Sequence, residues 1–184
     1  MDPYLIAYIV LVVFYRLSET LTMVKTGTVT RRPAKDWTAW LVMVPYWLVI
    51  LSSAVEYASG RNGHPPLAAI IVGVALFAVA TTLRVRAHLD LGAQFSMFIE
   101  EGKTGGLVTT GLYSKIRHPL HLASIALFLA CPTFLAVRWA WLAAVVGLVG
   151  VVTCIEIEEQ HLTHTFEGYP AYAQTTWKLI PHVY

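Results

Sequence analysis

Residues 67–83 and 139–155 each run 17 positions without a charged side chain. A helix needs about 20 consecutive apolar residues to cross the hydrocarbon core of a bilayer. Hydrocarbon offers the backbone no partners, so such a run closes its hydrogen bonds along its own helical ladder. This feature constrains the fold to an all-α bundle of membrane helices. Composition points the same way. The chain is 57% hydrophobic and 13% charged, with a mean hydropathy of +0.60, where a soluble domain carries about 25% charged residues. Its 184 residues are read as one transmembrane domain, 1–184.

Five spans are predicted. Residues 4–23 form the first, interrupted by Arg16 and Glu19, and residues 37–57 the second, with Pro45 as a kink. The third covers residues 67–89. Residues 119–130 make a short fourth span with Pro119 in its favoured first-turn position. "CPTFLAVR" is read as the turn into a fifth span, residues 139–166, so the last two helices form a hairpin. Residues 90–117 are too polar to cross, and the C-terminal "EGYPAYAQTTWKLIPHVY" is polar and aromatic. The N-terminal "MDPYLIAYIV" has no basic n-region and no A-x-A-like cleavage site, and reads as a retained helix. With that end outside, the inner loops and tail hold Lys25, Arg31, Arg32, Lys35, Arg84, Arg86, Lys103, Lys115, Arg117 and Lys178. Only Arg61 and Arg138 lie outside, as the positive-inside rule expects. Cys131 and Cys154 fall at different depths, too far apart for a disulfide.

The net charge of +2, with no basic stripe interleaved by aromatics, gives no reason to expect nucleic acid. The chemistry-bearing residues gather on the inner side. "EIEEQHLTH" sets Glu158, Glu159, His161 and His164 on adjacent turns, and Glu158 and His161 share a face. One reading is a solvated helix end. Another is a metal site from Glu158, His161 and His164, but H-x-x-H is not the H-E-x-x-H signature and no cysteine pair supports it; no metal is expected. "EGKTGG" contains Gly-Lys-Thr, yet Met97 stands where a phosphate-binding loop requires glycine. Gly105, Gly106 and Gly111 would let backbone approach a ligand closely, and ordinary turns explain them equally. In "KIRHP", Lys115 and Arg117 are read either as membrane-boundary anchors or as part of a site with His118.

The order "LVTTGLYSKIRHPLH", "EIEEQHLTHTFEGYPAY", "LIP" resembles the isoprenylcysteine carboxyl methyltransferase and phospholipid methyltransferase family of integral membrane enzymes. That family's pattern is L-V-x-x-G-x-Y-x-x-x-R-H-P-x-Y, then Glu-Glu, then F-G-x-x-Y-x-x-Y, then I-P or F-P. The likeness spans residues 92–181. It implies S-adenosyl-L-methionine as cofactor and a lipid or other lipophilic methyl acceptor, with the active site facing the cytosol. It further implies three N-terminal helices in residues 1–89 and a cofactor-binding catalytic core in residues 90–184. Carried over, Gly105, Gly106, Leu107 and Val108 would lie along the cofactor. Tyr113, His118, Pro119, Leu120 and His121 would complete its pocket, and Glu158 would bind its polar groups. Arg117, His118, His121 and Glu158 are the expected catalytic set, and Tyr169 and Tyr172 are read as a lid or as interfacial packing. Three departures stand out. His121 replaces the pattern's tyrosine, "FEGYPAY" is one residue short, and Cys154 occupies the position where prenylcysteine-methylating members carry arginine.

A carboxylate acceptor would need no base; an amine, phenol or thiol would, and His121 and His161 are the candidates. Two rival readings remain: a membrane reductase using NADPH on a sterol-like lipid, and a non-enzymatic transporter or assembly subunit. The transporter reading requires ionisable groups near the bilayer midplane.

Overall fold

The computed structural model describes residues 2–27, 37–60, 63–92 and 106–183. These residues form six α-helices: α1 (Pro3–Thr26), α2 (Trp40–Ala58), α3 (Leu67–Leu91), α4 (Pro119–Leu135), α5 (Ala140–Thr165) and the short α6 (Tyr169–Thr175). A 3₁₀ turn, Trp37–Ala39, leads into α2, and another, Gly111–Ser114, precedes α4. Helices α1, α3, α5 and the segment Trp37–Ala58 are long and apolar enough to cross a membrane, and α4 is a shorter apolar helix. The bundle of about five spans expected from hydropathy is therefore present, with α4 and α5 as its hairpin.

One boundary differs from expectation. "CPTFL" is not a turn: α4 continues through Cys131 and Pro132 to Leu135. Proline lacks an N–H and normally breaks a helix interior in water. Here α4 is buried on nearly all sides, against α3 above all and also α2 and α5, and surrounding helices hold the ladder in shape. Thr133 Oγ1 donates to Leu129 O at 2.6 Å beside the break. The chain reverses only at Ala136, in the left-handed region at φ 51°.

Polar contacts fix the two ends of the bundle. At one end Asp2 caps α1, accepting from the N–H groups of Tyr4 at 2.8 Å and Leu5 at 3.2 Å. It also accepts from Tyr57 Oη at the end of α2, at 3.1 Å. Nearby, the Glu56 carboxylate accepts from the N–H groups of Arg138 and Ala140 at 2.8 and 2.9 Å, so α2 caps the start of α5. This places an anion at the positive end of the helix dipole. The aromatic rings of Tyr8, Phe77 and Phe134 join α1, α3 and α4 in the core. Large apolar side chains such as Val10, Phe14, Leu51, Ile71, Leu142 and Val149 face outward, which suits a lipid surface. Cys131 and Cys154 are buried free thiols.

The α2–α5 seam depends on a proline and a glycine. Pro45 lies inside α2 and cannot donate to the carbonyl of Leu41. Gly150 of α5 packs against that carbonyl so closely that a Cβ there would sit 2.1 Å from Leu41 O. Backbone on both sides leaves no flexible side chain to yield. Gly150→Ala should therefore destabilise the protein by about 1–3 kcal/mol, the usual cost of overpacking. Thermal unfolding in detergent checks this; an unchanged midpoint would show that the seam can open without cost.

Candidate active site

The opposite end of the bundle brings together the start of α4, the end of α5 and the C-terminal tail. Pro119 fixes the first turn of α4, and His118 and Arg117 stand just before it. The tail runs alongside: Arg117 N donates to Trp177 O at 2.8 Å, Trp177 N to Lys115 O at 3.0 Å, and His118 N to Lys178 O at 3.1 Å. This short parallel pairing holds the Arg-His pair against α5, whose last turns carry Glu158 and Glu159.

Glu159 Oε1 accepts from Arg117 Nε at 2.8 Å and from Tyr169 Oη at 2.8 Å, and it lies 2.7 Å from His118 Nε2. The second nitrogen of the same imidazole, His118 Nδ1, is 3.2 Å from Glu158 Oε2. His121, one turn into α4, places Nε2 3.0 Å from that same oxygen. Cys154 Sγ donates to Glu158 Oε1 at 3.5 Å. All three nitrogens of Arg117 are engaged: besides Nε, Nη1 donates to Ala173 O at 2.9 Å and to Thr176 O, and Nη2 reaches Glu159 Oε2 at 3.4 Å. Side-chain exposure grades through the network. Arg117 is 8% and His118 4% exposed, Glu159 15%, His121 13%, and Glu158 31%. Glu158 is thus the carboxylate most open to a ligand.

An imidazole with a carboxylate on each nitrogen is held as imidazolium. Burial pushes the pKa of His118 down, but its hydrogen bonds to Glu158 and Glu159 more than offset this, leaving it above the usual histidine value. Two cations, Arg117 and His118, then balance two anions, the arrangement that makes charges tolerable at a membrane boundary.

The wall beside this network is set by α3. Asp90 Oδ2 accepts from Leu112 N at 2.8 Å, anchoring the 3₁₀ turn that carries Tyr113. Gly111 makes this contact possible: its φ is +61°, and a Cβ there would lie 2.3 Å from the Asp90 carboxyl. Tyr113 is buried, and burial together with the neighbouring Glu158 charge raises its phenol pKa. Tyr172 Oη donates to Tyr113 O at 2.6 Å, so both tail tyrosines singled out in the sequence bond to residues around the site.

Of the expected site residues, Arg117, His118, His121 and Glu158 meet in one hydrogen-bonded cluster. Pro119 is buried beside it, and the Leu120 carbonyl accepts from Arg84 Nη1 at 3.3 Å. Leu107 and Val108 are half-buried and Gly106 is exposed, upstream of Tyr113. Gly105 lies outside the described residues. His161 does not join the cluster and instead contacts Thr165 Oγ1 at 3.3 Å. The metal-capable grouping is therefore not Glu158, His161 and His164. Among the described residues, the ligand atoms of His118, His121 and Glu158 lie within 4.8 Å of one another. Sequence reading missed Glu159 as the hub and Asp90 as the anchor. Adjacency to Glu158 was the signal for the first; a lone aspartate ending an apolar helix offered none for the second.

A raised histidine pKa stabilises the fold fully below the unfolded value, about 6.5, and the stabilisation is lost as pH rises through the folded value. The melting temperature of the wild type should fall as the pH rises above about 6.5. His118→Gln should melt lower at pH 6.5 and show a flatter profile; a parallel decline in the variant would remove His118 from this role.

Compared with models of known families, residues 68–168 match the phospholipid methyltransferase model. This stretch is more than half of the chain, runs from α3 to the start of α6, and contains Arg117, His118, His121, Glu158 and Glu159. No curated protein matches the chain. On the extent of that match, and in agreement with its Arg-His-Pro and Glu-Glu motifs, the chain belongs to the phospholipid methyltransferase family of membrane enzymes.

Proposed function

We propose that the protein transfers a methyl group from S-adenosylmethionine to a lipophilic acceptor at the cytosolic face of a membrane. The observation that carries this reading is the partly exposed Glu158 carboxylate, held in place by His118 and His121 where α4, α5 and the tail converge. Its donor set suits the cofactor: a fixed anion for a cationic ligand, and the Tyr113 ring, Pro119 and Leu120 as apolar walls. The segment from Gly106 to Val108 supplies backbone groups upstream of Tyr113. When bound, S-adenosylmethionine supplies an electrophilic methyl group on a sulfonium.

The residues of this chain then divide the work. Glu158 binds and orients positive charge. His118, with both nitrogens committed to carboxylates, positions Glu158 and is not the base. Arg117, with its donors spent on Glu159 and the tail carbonyls, locks the C-terminus over the site and helps exclude water. His121 is the group able to move a proton. With its Nε2–H directed to Glu158, its Nδ1 lone pair is left as an acceptor for an acceptor nucleophile that must lose one. The cytosolic assignment rests on the positive-inside count, because the site end of the bundle carries Lys25, Arg84, Arg86, Lys115, Arg117 and Lys178.

S-adenosylhomocysteine should raise the melting temperature of the purified protein, and NADPH should not, because a ligand stabilises the state it binds. Glu158→Gln should raise the S-adenosylhomocysteine concentration needed for the same shift at least tenfold, corresponding to about 1.4 kcal/mol of binding. Radiolabel from S-adenosylmethionine should enter a host lipid extract with the wild type and not with Glu158→Gln. Stabilisation by NADPH alone would replace this reading with the reductase.

A further inference from the structure

A second polar cluster lies outside the catalytic network, between α1, α2 and α3. Glu19 is 4% exposed, lies 3.1 Å from Arg84 Nε and 3.5 Å from His88 Nε2, and accepts from Arg16 Nη1. Arg84 stands over the Tyr15 ring at 5.8 Å, and Arg16 over the rings of Tyr46 at 5.4 Å and Trp47 at 5.9 Å. The Tyr15 and Tyr46 rings are 6.4 Å apart. Two guanidinium groups face one carboxylate, so the cluster holds a surplus positive charge inside the apolar part of the bundle.

Its hydrogen bonding is equally unbalanced. Tyr15 is 0% and Tyr46 5% exposed; the Tyr46 hydroxyl has no hydrogen-bond partner among the described residues, and the Tyr15 hydroxyl has beside it only the Arg84 guanidinium, itself a donor, so neither O–H meets an acceptor. Both sit in the electrostatic reach of Arg16, Arg84 and Glu19. Arg84 Nε is close to Glu19 but out of hydrogen-bonding alignment. A purely structural ion pair gives no reason for two buried O–H groups without an acceptor, since burying an unmet donor is costly. Donors in excess of acceptors, with surplus positive charge, match an oxyanion. Access exists: the Arg16 side chain is 41% exposed beside the outward-facing Trp47, on the surface that meets lipid. Proximity exists too, since Arg84 Nη1 bonds the carbonyl of Leu120, the residue before His121.

We propose that Tyr15, Arg16, Tyr46 and Arg84 form an oxyanion subsite that holds the negatively charged headgroup, phosphate or carboxylate, of a membrane amphiphile. Resting on the methyl-transfer reading above, that amphiphile is the acceptor. The cations of the catalytic network leave this task to the cluster, because Arg117 and His118 are already bound to Glu159 and Glu158.

The test uses the full chain in detergent, with thermal shifts from dioctanoyl phosphatidylglycerol, decanoate and the neutral dioctanoylglycerol. One or both anions should stabilise the wild type, which tells phosphate from carboxylate, and the neutral lipid should not. Tyr15→Phe with Tyr46→Phe keeps both rings and removes only the two hydroxyls. It should need at least tenfold more anion for the same shift, while its response to S-adenosylhomocysteine stays intact. Arg84→Gln should also lose the anion response, and the phenylalanine pair decides the matter if that variant fails to fold. A lipid extract stripped of acids by anion exchange should lose methyl-accepting capacity, and the acidic fraction should restore it. The subsite is overturned by an undiminished anion shift in the double phenylalanine variant, an equal shift from dioctanoylglycerol, or no shift from either anion. The acceptor assignment is overturned if the stripped extract is labelled as before. Failure of S-adenosylhomocysteine to stabilise the wild type would instead overturn the cofactor reading and leave the anion result standing.

Discussion

One imidazole ring between two carboxylates organises this protein. His118 spans Glu158 and Glu159 with its two nitrogens, and no neutral tautomer can donate to both. The ring must carry charge, and charge at the edge of a bilayer persists only with partners fixed around it. The remaining contacts supply that fixing. Arg117 closes the second carboxylate, the tail pairs with the backbone of residues 115–118, and Tyr169 adds a third donor to Glu159. Truncating any one partner leaves another buried group unsatisfied, so the cluster stands or falls together.

The bundle explains why these groups can meet. Helix α4 is enclosed by its neighbours rather than by lipid, which lets it carry Pro132 in its interior and sets its first turn against the carboxylates of α5. Helix α5 is pinned at its start by Glu56 and along its length by Gly150 against Leu41 O. With both helices fixed, their site ends hold a constant separation. A rigid frame is what positional catalysis needs, since displacement of about 1 Å at a reacting centre can cost 100-fold in rate. The cluster between α1, α2 and α3 adds a surplus positive charge and touches α4 through Arg84 and the Leu120 carbonyl: a region short of acceptors, next to one whose carboxylates are already paired.

The helices were legible because apolar runs and their charge breaks dictate where a chain can cross lipid. The end of α4 was not, because proline punctuation is learned from water-exposed helices and a crowded membrane interior overrides it. The meeting of Arg117 and His118 with the two glutamates was legible through motif order. Their division of labour was not, because adjacency on a helix does not say which carboxylate faces which nitrogen. Glu159, rather than Glu158, gathers most of the bonds. Arg16, Glu19 and Arg84 read from sequence as blemishes in apolar spans or as inside charges. Only the packing of α1 against α3 shows that they face one another.

The central claim is the charge state of His118, and nitrogen NMR of the histidine-labelled protein reads it directly. Assigned by comparison with His118→Gln, both ring nitrogens should carry protons at pH 7.5. A ring with one bare nitrogen at that pH, titrating near 6.5 like a solvent-exposed histidine, would contradict the account.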